Sequence, residues 1–301
     1  MSGGPALVVV AVDDAGTSDE AVEWAAAEAA VQRCPLHLVH RAGPAAVGDP
    51  CGLTLPVTAP QPDTDADLVL ADALDLARRI APDVPMSARP ITGPLAPALL
   101  AETRRARLLV LGGRPHCRLR QLLVGSVPVA VAAAAACPVV IVRARAKADG
   151  GQPGPPRVVV GIDGGAVDAA AIGFAFRAAR QRCIPLTAVH AWSPDLPADL
   201  DAPAVRAADA ERLARRVLDR ALAPWLPLYP DVVVRAELVP ARPGSALVAG
   251  SHGAALLVVG SRGRGPVVGA LLGSVGQIAL RRGRTPLAIV RAGSAPVAHA
   301  S

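Results

Sequence analysis

The sequence predicts an α/β protein of two tandem doubly wound domains. Each is a five-stranded parallel sheet in the order 3-2-1-4-5 with helices on both faces. Three observations carry that prediction: a long internal repeat, apolar runs that alternate with helix-period stretches, and a glycine pattern set between one such run and the helix after it.

The repeat sets the domain count. Ala6-Leu-Val-Val-Val-Ala-Val-Asp13 recurs as Arg157-Val-Val-Val-Gly-Ile-Asp163, with the two aspartates 150 positions apart. Cys34-Pro-Leu-His-Leu-Val-His40 recurs loosely as Cys183-Ile-Pro-Leu-Thr-Ala-Val-His190, again with the histidines 150 apart. Leu108–Gly113 matches Leu256–Ser261, Gly125-Ser126-Val127 matches Gly273-Ser274-Val275, and Cys137–Arg143 matches Thr285–Arg291. A period this long means two domains, since the units of a solenoid run about 20–50 residues. The predicted domains are residues 1–145 and 156–294, joined by a linker rich in Gly, Pro, Ala and charge between Ala144 and Pro156.

The second half reads element by element. Strands are predicted over Val158–Asp163, Leu186–Trp192, Val232–Val239, Leu256–Ser261 and Leu287–Arg291, each an apolar run of strand length. Between them, helical spacing predicts helices over Val167–Arg182, Val205–Ala223, Ser245–Ser251 and Leu271–Arg281. Strict alternation of the two element types calls for a parallel sheet covered on both faces. Ligands of such sheets sit at the C-terminal strand ends where the strand order reverses. Asp163 and Gly260, at the ends of the first and fourth strands, would flank one crevice there.

Composition excludes several functions. The chain is 52% hydrophobic but only 2% aromatic, with net charge +6. Its arginines are scattered or lie at helix ends, with no interleaved aromatics to stack bases, so no nucleic-acid partner is expected. Five cysteines without CxxC or metal spacing predict buried thiols in a reducing compartment and no metal site. The uncharged stretch Leu122–Val142 is 21 residues long, enough to span a membrane. It is broken by Gly125, Pro128 and Pro138, and its counterpart carries Arg281, Arg282 and Arg284, so it reads as helix, turn and buried strand. No membrane partner and no secretory signal are expected. His40 and His190 read as strand-end histidines partly covered by a loop.

The chemistry lies in the pattern Gly260-Ser-Arg262-Gly263, nine further residues, then Gly273-Ser274. It follows the apolar run ending at Val259 and leads into a helix. Glycines there let backbone amides approach a phosphate, and the helix N-terminus adds its dipole. The spacing is neither the Walker form nor the dinucleotide form. A phosphorylated ligand, and a nucleotide above all, is the expectation.

These residues resemble the universal stress protein family, in both halves and over nearly the whole chain. The stretch Val259-Gly-Ser-Arg-Gly-Arg-Gly265 is close to the family's usual wording. The resemblance implies a cytoplasmic, tandem member that binds ATP, with Asp163 either bonding a ribose hydroxyl or holding magnesium. It implies that Gly161, Ile162, Asp163 and Val189 line the adenosine end, with His190 beside them. It places Gly260, Arg262, Gly263 and Gly265 along ribose and phosphates, and Gly273, Ser274 and Val275 at the phosphate tail. It also implies an intramolecular pseudo-dimer through the fifth strands, leaves a further homodimer open, and implies a protein partner that it does not identify.

The first half departs from the pattern. Asp13, Gly112, Gly125 and Ser126 are present as weaker site residues, but Pro115 stands where Gly263 has its counterpart, and Ala11 replaces Gly161. Proline offers no amide and restricts φ. The expectation is therefore a regulatory ATP-binding protein whose second half holds the nucleotide. The alternative is an interaction module with vestigial sites. No nucleophile–base pair or catalytic residue is evident, so at most slow ATP hydrolysis is expected.

Overall fold

In a computed structural model, residues 7–13, 18–42, 64–113, 126–143, 155–165, 168–192, 203–261 and 272–292 are described. The first half runs β1 (Leu7–Val12), α1 (Asp19–Gln32), β2 (Leu36–Arg41), α2 (Thr64–Ile80), β3 (Met86–Ile91), α3 (Leu95–Glu102), β4 (Ala106–Gly113), α4 (Ser126–Ala134) and β5 (Val139–Arg143). The second repeats it: β6 (Val158–Gly161), α5 (Asp168–Arg182), β7 (Leu186–Trp192), α6 (Pro203–Leu222), β8 (Val234–Pro240), α7 (Pro243–Gly250), β9 (Leu256–Gly260), α8 (Ser274–Arg282) and β10 (Leu287–Val290). A single 3-10 turn at Leu226–Leu228, between α6 and β8, is an addition to the predicted order. The uncharged stretch holds α4 and β5, the helix and buried strand read from the sequence, and among the described residues no helix is long and apolar enough to cross a membrane.

The strands form one ten-stranded sheet in the order β3-β2-β1-β4-β5-β10-β9-β6-β7-β8. Each half keeps the order 3-2-1-4-5 with all its strands parallel. The halves meet through β5 and β10, the only antiparallel pair among the described strands, in the register Ile141 to Leu287, Val140 to Ala288 and Val139 to Ile289. Valine, leucine and isoleucine occupy both sides of these central strands, because both faces are covered by helices. The outermost strands, β3 and β8, are largely exposed and carry Arg89 and Pro90, or Arg235, Glu237 and Pro240. Charge and proline at open edges discourage strand addition by another chain.

The side-chain period of two splits the interior into two layers. Val8, Val10 and Val12 face α1 and α2, while Val9 faces α3 and α4. Each layer continues through the second half, against α5 and α6 on one face and α7 and α8 on the other. Few aromatics are needed because the helices present small faces: Ala21, Ala25, Ala26 and Ala29 of α1 are fully buried, as are Ala171, Ala175 and Ala179 of α5. The exception is a cluster of Phe176, Trp225 and Tyr229, with Phe176 and Tyr229 ring centroids 5.2 Å apart. Gly173 makes room for it, since a Cβ there would lie 2.4 Å from the Trp225 ring.

Polar contacts lock the junction of the halves. The Arg143 guanidinium donates to the Gly283 carbonyl at 3.1 Å, at the C-terminal end of α8. By the pseudo-twofold relation, Arg291 donates to the Ala135 carbonyl at 3.0 Å, just past α4. Cations suit helix C-termini, where carbonyls lack intrahelical partners. On the opposite face Arg182 of α5 pairs with Glu28 of α1, whose side chain is 3% exposed. Cutting one member of a buried pair strands the other charge. Arg182→Met is expected to cost about 3–5 kcal/mol in urea unfolding, and adding Glu28→Gln is expected to recover most of it.

Candidate functional site

The strand order reverses between β6 and β9, where consecutive crossovers leave toward opposite faces. A small crevice opens at the C-terminal ends of these strands. It brings together Gly161, Ile162, Asp163, Val189, Gly260, Gly273, Ser274 and Val275, all predicted from sequence. Arg262, Gly263 and Gly265, and in the first half Gly125 and Pro115, lie outside the described residues. The crevice also takes in Asp168, Ala191, Pro243, Leu247, Val259 and Gly276, which the sequence reading did not assign.

One wall is apolar. Leu247 of α7 lies against the end of β6, and a Cβ on Gly161 would sit 2.5 Å from its Cδ1. Glycine at this place is thus a packing requirement that draws Leu247 over the strand end, beside Ile162 and Val189. The Ile162 amide donates to the Val189 carbonyl at 2.9 Å, so the chain still tracks β7 after β6 has ended. His190 secures the same turn: its Nδ1–H donates to the Ile162 carbonyl at 2.7 Å, which fixes the tautomer. His40 repeats the contact with the Val12 carbonyl at 3.0 Å. The recurring histidines are therefore structural pins of the strand ends.

The opposite wall is polar. α8 begins at Ser274 after Gly273, with no side-chain cap bond and no acid in its first turn. Gln277 N is the first amide bonded back into the helix, to the Gly273 carbonyl at 3.0 Å. The amides of Ser274, Val275 and Gly276 precede it and have no intrahelical acceptor. Gly273 itself is tied to the end of β9 by its amide, which donates to the Ser261 carbonyl at 3.0 Å. Gly276 allows the Leu272 side chain to fold under the helix, since a Cβ there would meet Leu272 Cγ at 2.8 Å.

Two carboxyl groups close the floor. Asp163 Oδ1 accepts the Gly165 amide at 2.7 Å, and Gly164 takes φ +80°, which glycine adopts without strain. Asp168, the first residue of α5, is 5% exposed, and its Oδ2 accepts the amides of Asp163 at 2.9 Å and Gly164 at 2.6 Å. Burial, then the charge of Asp163 and a hydrogen bond with it, push the Asp168 carboxyl up to about 6, while the two amides pull the other way. The signal was present in the repeat: Ser18 holds the corresponding place in the first half, where its Oγ accepts the Asp13 amide at 3.2 Å. There a neutral hydroxyl does part of the work of Asp168.

A carboxyl whose proton is held more tightly in the folded state stabilises the fold fully below its unfolded value of 3.8, and loses that contribution as pH rises through about 6. Asp168→Asn keeps an acceptor for both amides and removes the titration. Urea midpoints measured across that window are expected to fall with pH in the parent relative to the variant. A difference that stays constant with pH would contradict the assignment.

Known proteins place the chain. A sequence model of the universal stress protein family matches twice, over residues 7–143 and 155–291. Universal stress protein Rv2623 of Mycobacterium tuberculosis is 34% identical over 298 residues, covering 94% of this chain and 96% of its own length. Rv2005c of the same species is 35% identical over 300 residues with the same coverage. The fold is also that of a putative universal stress protein from Pseudomonas aeruginosa, at TM-score 0.63 and 16% identity over 97% of this chain and 95% of that one. The chain belongs to the universal stress protein family as a tandem, two-domain member.

Proposed function

We propose that this protein binds one adenine nucleotide, ATP, in the crevice of its second half, and acts through that occupancy in a stress response. The observation that carries the reading is the polarity of the crevice. It has an apolar slot at Gly161, Ile162, Val189 and Leu247, a carboxylate at Asp163, and uncapped helix amides at Ser274–Gly276. A flat base fits the slot, ribose hydroxyls suit the carboxylate, and phosphates suit the amides. Arg262, Gly263 and Gly265 supply the loop beside the phosphates in this reading. Magnesium, where present, would be met by Asp163.

The first half is read as a partner domain. Ala11 carries a methyl group at the place where Gly161 admits Leu247, and Pro115 replaces the counterpart of Gly263. The interaction-module alternative keeps both sites empty and differs in stoichiometry, not in fold. Calorimetric titration with ATP tests the reading, alongside mass identification of nucleotide released from freshly purified, denatured protein. One site per chain is expected. Ser274→Glu, which puts a carboxylate at the uncapped helix start, is expected to weaken binding by at least about tenfold, roughly 1.4 kcal/mol. Two equal sites, no binding, or an unchanged affinity in Ser274→Glu would contradict the reading.

We also propose that the bound nucleotide is held and not turned over rapidly. Among the described residues, the polar groups of the crevice are two carboxyls already accepting amides, one serine, and backbone. None pairs with a base that would activate water. Steady-state ATPase assays are expected to give turnover far below the ordinary enzyme range of about 10 s⁻¹. A rate in that range would move the protein into the enzyme class.

A further inference from the structure

A second, much smaller cavity lies where α1 of the first half meets α5 of the second. Glu28 and Gln32 line it from α1, Arg107 from the start of β4, and Phe174, Arg177 and Gln181 from α5. It is remote from the crevice, because Arg107 sits at the N-terminal end of its strand and the crevice at the C-terminal strand ends.

Its charges do not balance. Glu28 is already engaged on both oxygens: Gln32 donates to one and Arg182 to the other. Its single negative charge, already paired with Arg182, does not balance Arg177 and Arg107 as well. Arg177 Nη2 is shielded from solvent and has no hydrogen-bond partner among the described residues. A buried guanidinium N–H without an acceptor is strongly unfavourable, and a native fold that keeps one has a ligand or ordered water to complete it. Arg107 brings a second guanidinium to the same space, and the Gln181 amide brings further donors. The carbonyls at the ends of α1 and α5 do not fill the role, since those of Ala29, Ala30, Ala179 and Arg180 already accept the amides of Cys34, Arg33, Ile184 and Cys183.

We propose that this cavity is a binding site for a small oxyanion of phosphate size, held between the two halves by Arg177 and Arg107. The planar fork of a guanidinium matches two oxygens of such an anion, and two arginines supply charge that one already-paired carboxylate does not cancel. Divalent cations are excluded by the same charge. The anion ties α1 to α5 beside the Glu28–Arg182 pair, so its binding stabilises the joined form of the two halves.

Thermal unfolding of the full chain in increasing inorganic phosphate, with ionic strength matched by sodium chloride, tests this. The Tm of the parent is expected to rise with phosphate and not with chloride. In phosphate-free buffer Arg177→Met is expected to melt at or above the parent, because the unpartnered donor is gone, and to lose the phosphate response. Arg107→Gln is expected to need on the order of tenfold more phosphate for the same rise. Ser274→Glu, in the crevice, is expected to keep the parent's phosphate response. Should Arg177→Met fail to fold, the Arg107→Gln response decides. A parent Tm indifferent to phosphate, a full response in both arginine variants, or a response lost in Ser274→Glu would overturn the proposal.

Discussion

Antiparallel pairing of β5 with β10 is the constraint on which the rest of the molecule depends. Each half alone would end in a strand such as Val139–Val142 or Leu287–Val290, apolar on both faces with an open row of backbone donors and acceptors. Joined, they make one sheet whose only open edges are the polar outer strands, and whose two core layers run without interruption through both halves. The same relation brings α1 against α5, creating the Glu28–Arg182 pair and the cavity beside it. It also carries Arg143 and Arg291 across to the helix ends of the opposite half.

Within that frame the two halves diverge by small changes at matched places. Gly161 lets Leu247 lie directly on the end of β6, where a Cβ would clash, whereas the first half has Ala11 at the matched place. Asp168 against Ser18 decides whether the turn after the first strand is held by a carboxyl or by a hydroxyl. Neither change disturbs the fold: Ala11 and Gly161 both pair with the neighbouring strand, and Ser18 and Asp168 both accept the amide of the aspartate that follows the strand. In the function proposed above, duplication leaves one copy to hold the ligand while the other serves as its partner domain. The expected burial of the thiols holds for Cys34 and Cys137, which are packed in the core, but not for Cys183, which is exposed after α5; burial pushes Cys137 up to about 12, beyond ordinary reactivity.

Much of this was legible in the chain. β7 has the predicted limits, Leu186–Trp192, because an apolar run bounded by Pro185 and a polar loop has little freedom at either end. β6, β9 and β10 are shorter than predicted by one or two residues at their C-terminal ends, where in β6 Asp163 turns away to serve the site, and β8 begins two residues later and ends one later than predicted. α8 starts at Ser274 and not at Leu271, since Leu272 and Gly273 are used to tie the helix to β9. The glycines and Asp163 were visible through their spacing. Asp168 was not, because an acid at a helix start reads as an ordinary N-terminal preference until its partners are seen. The oxyanion cavity was beyond reach of the sequence: Glu28, Arg107 and Arg177 are far apart along the chain, and only the pseudo-twofold packing of the halves unites them.

The central claim is that the two repeats share a fold and differ in ligand. Amide hydrogen exchange with and without ATP tests it most directly, because the same helix start occurs twice in one molecule. The account predicts new protection at Ser274, Val275 and Gly276, with the corresponding amides at the start of α4, from Ser126 onward, unchanged. Equal protection at both helix starts, or protection at α4 alone, would contradict it.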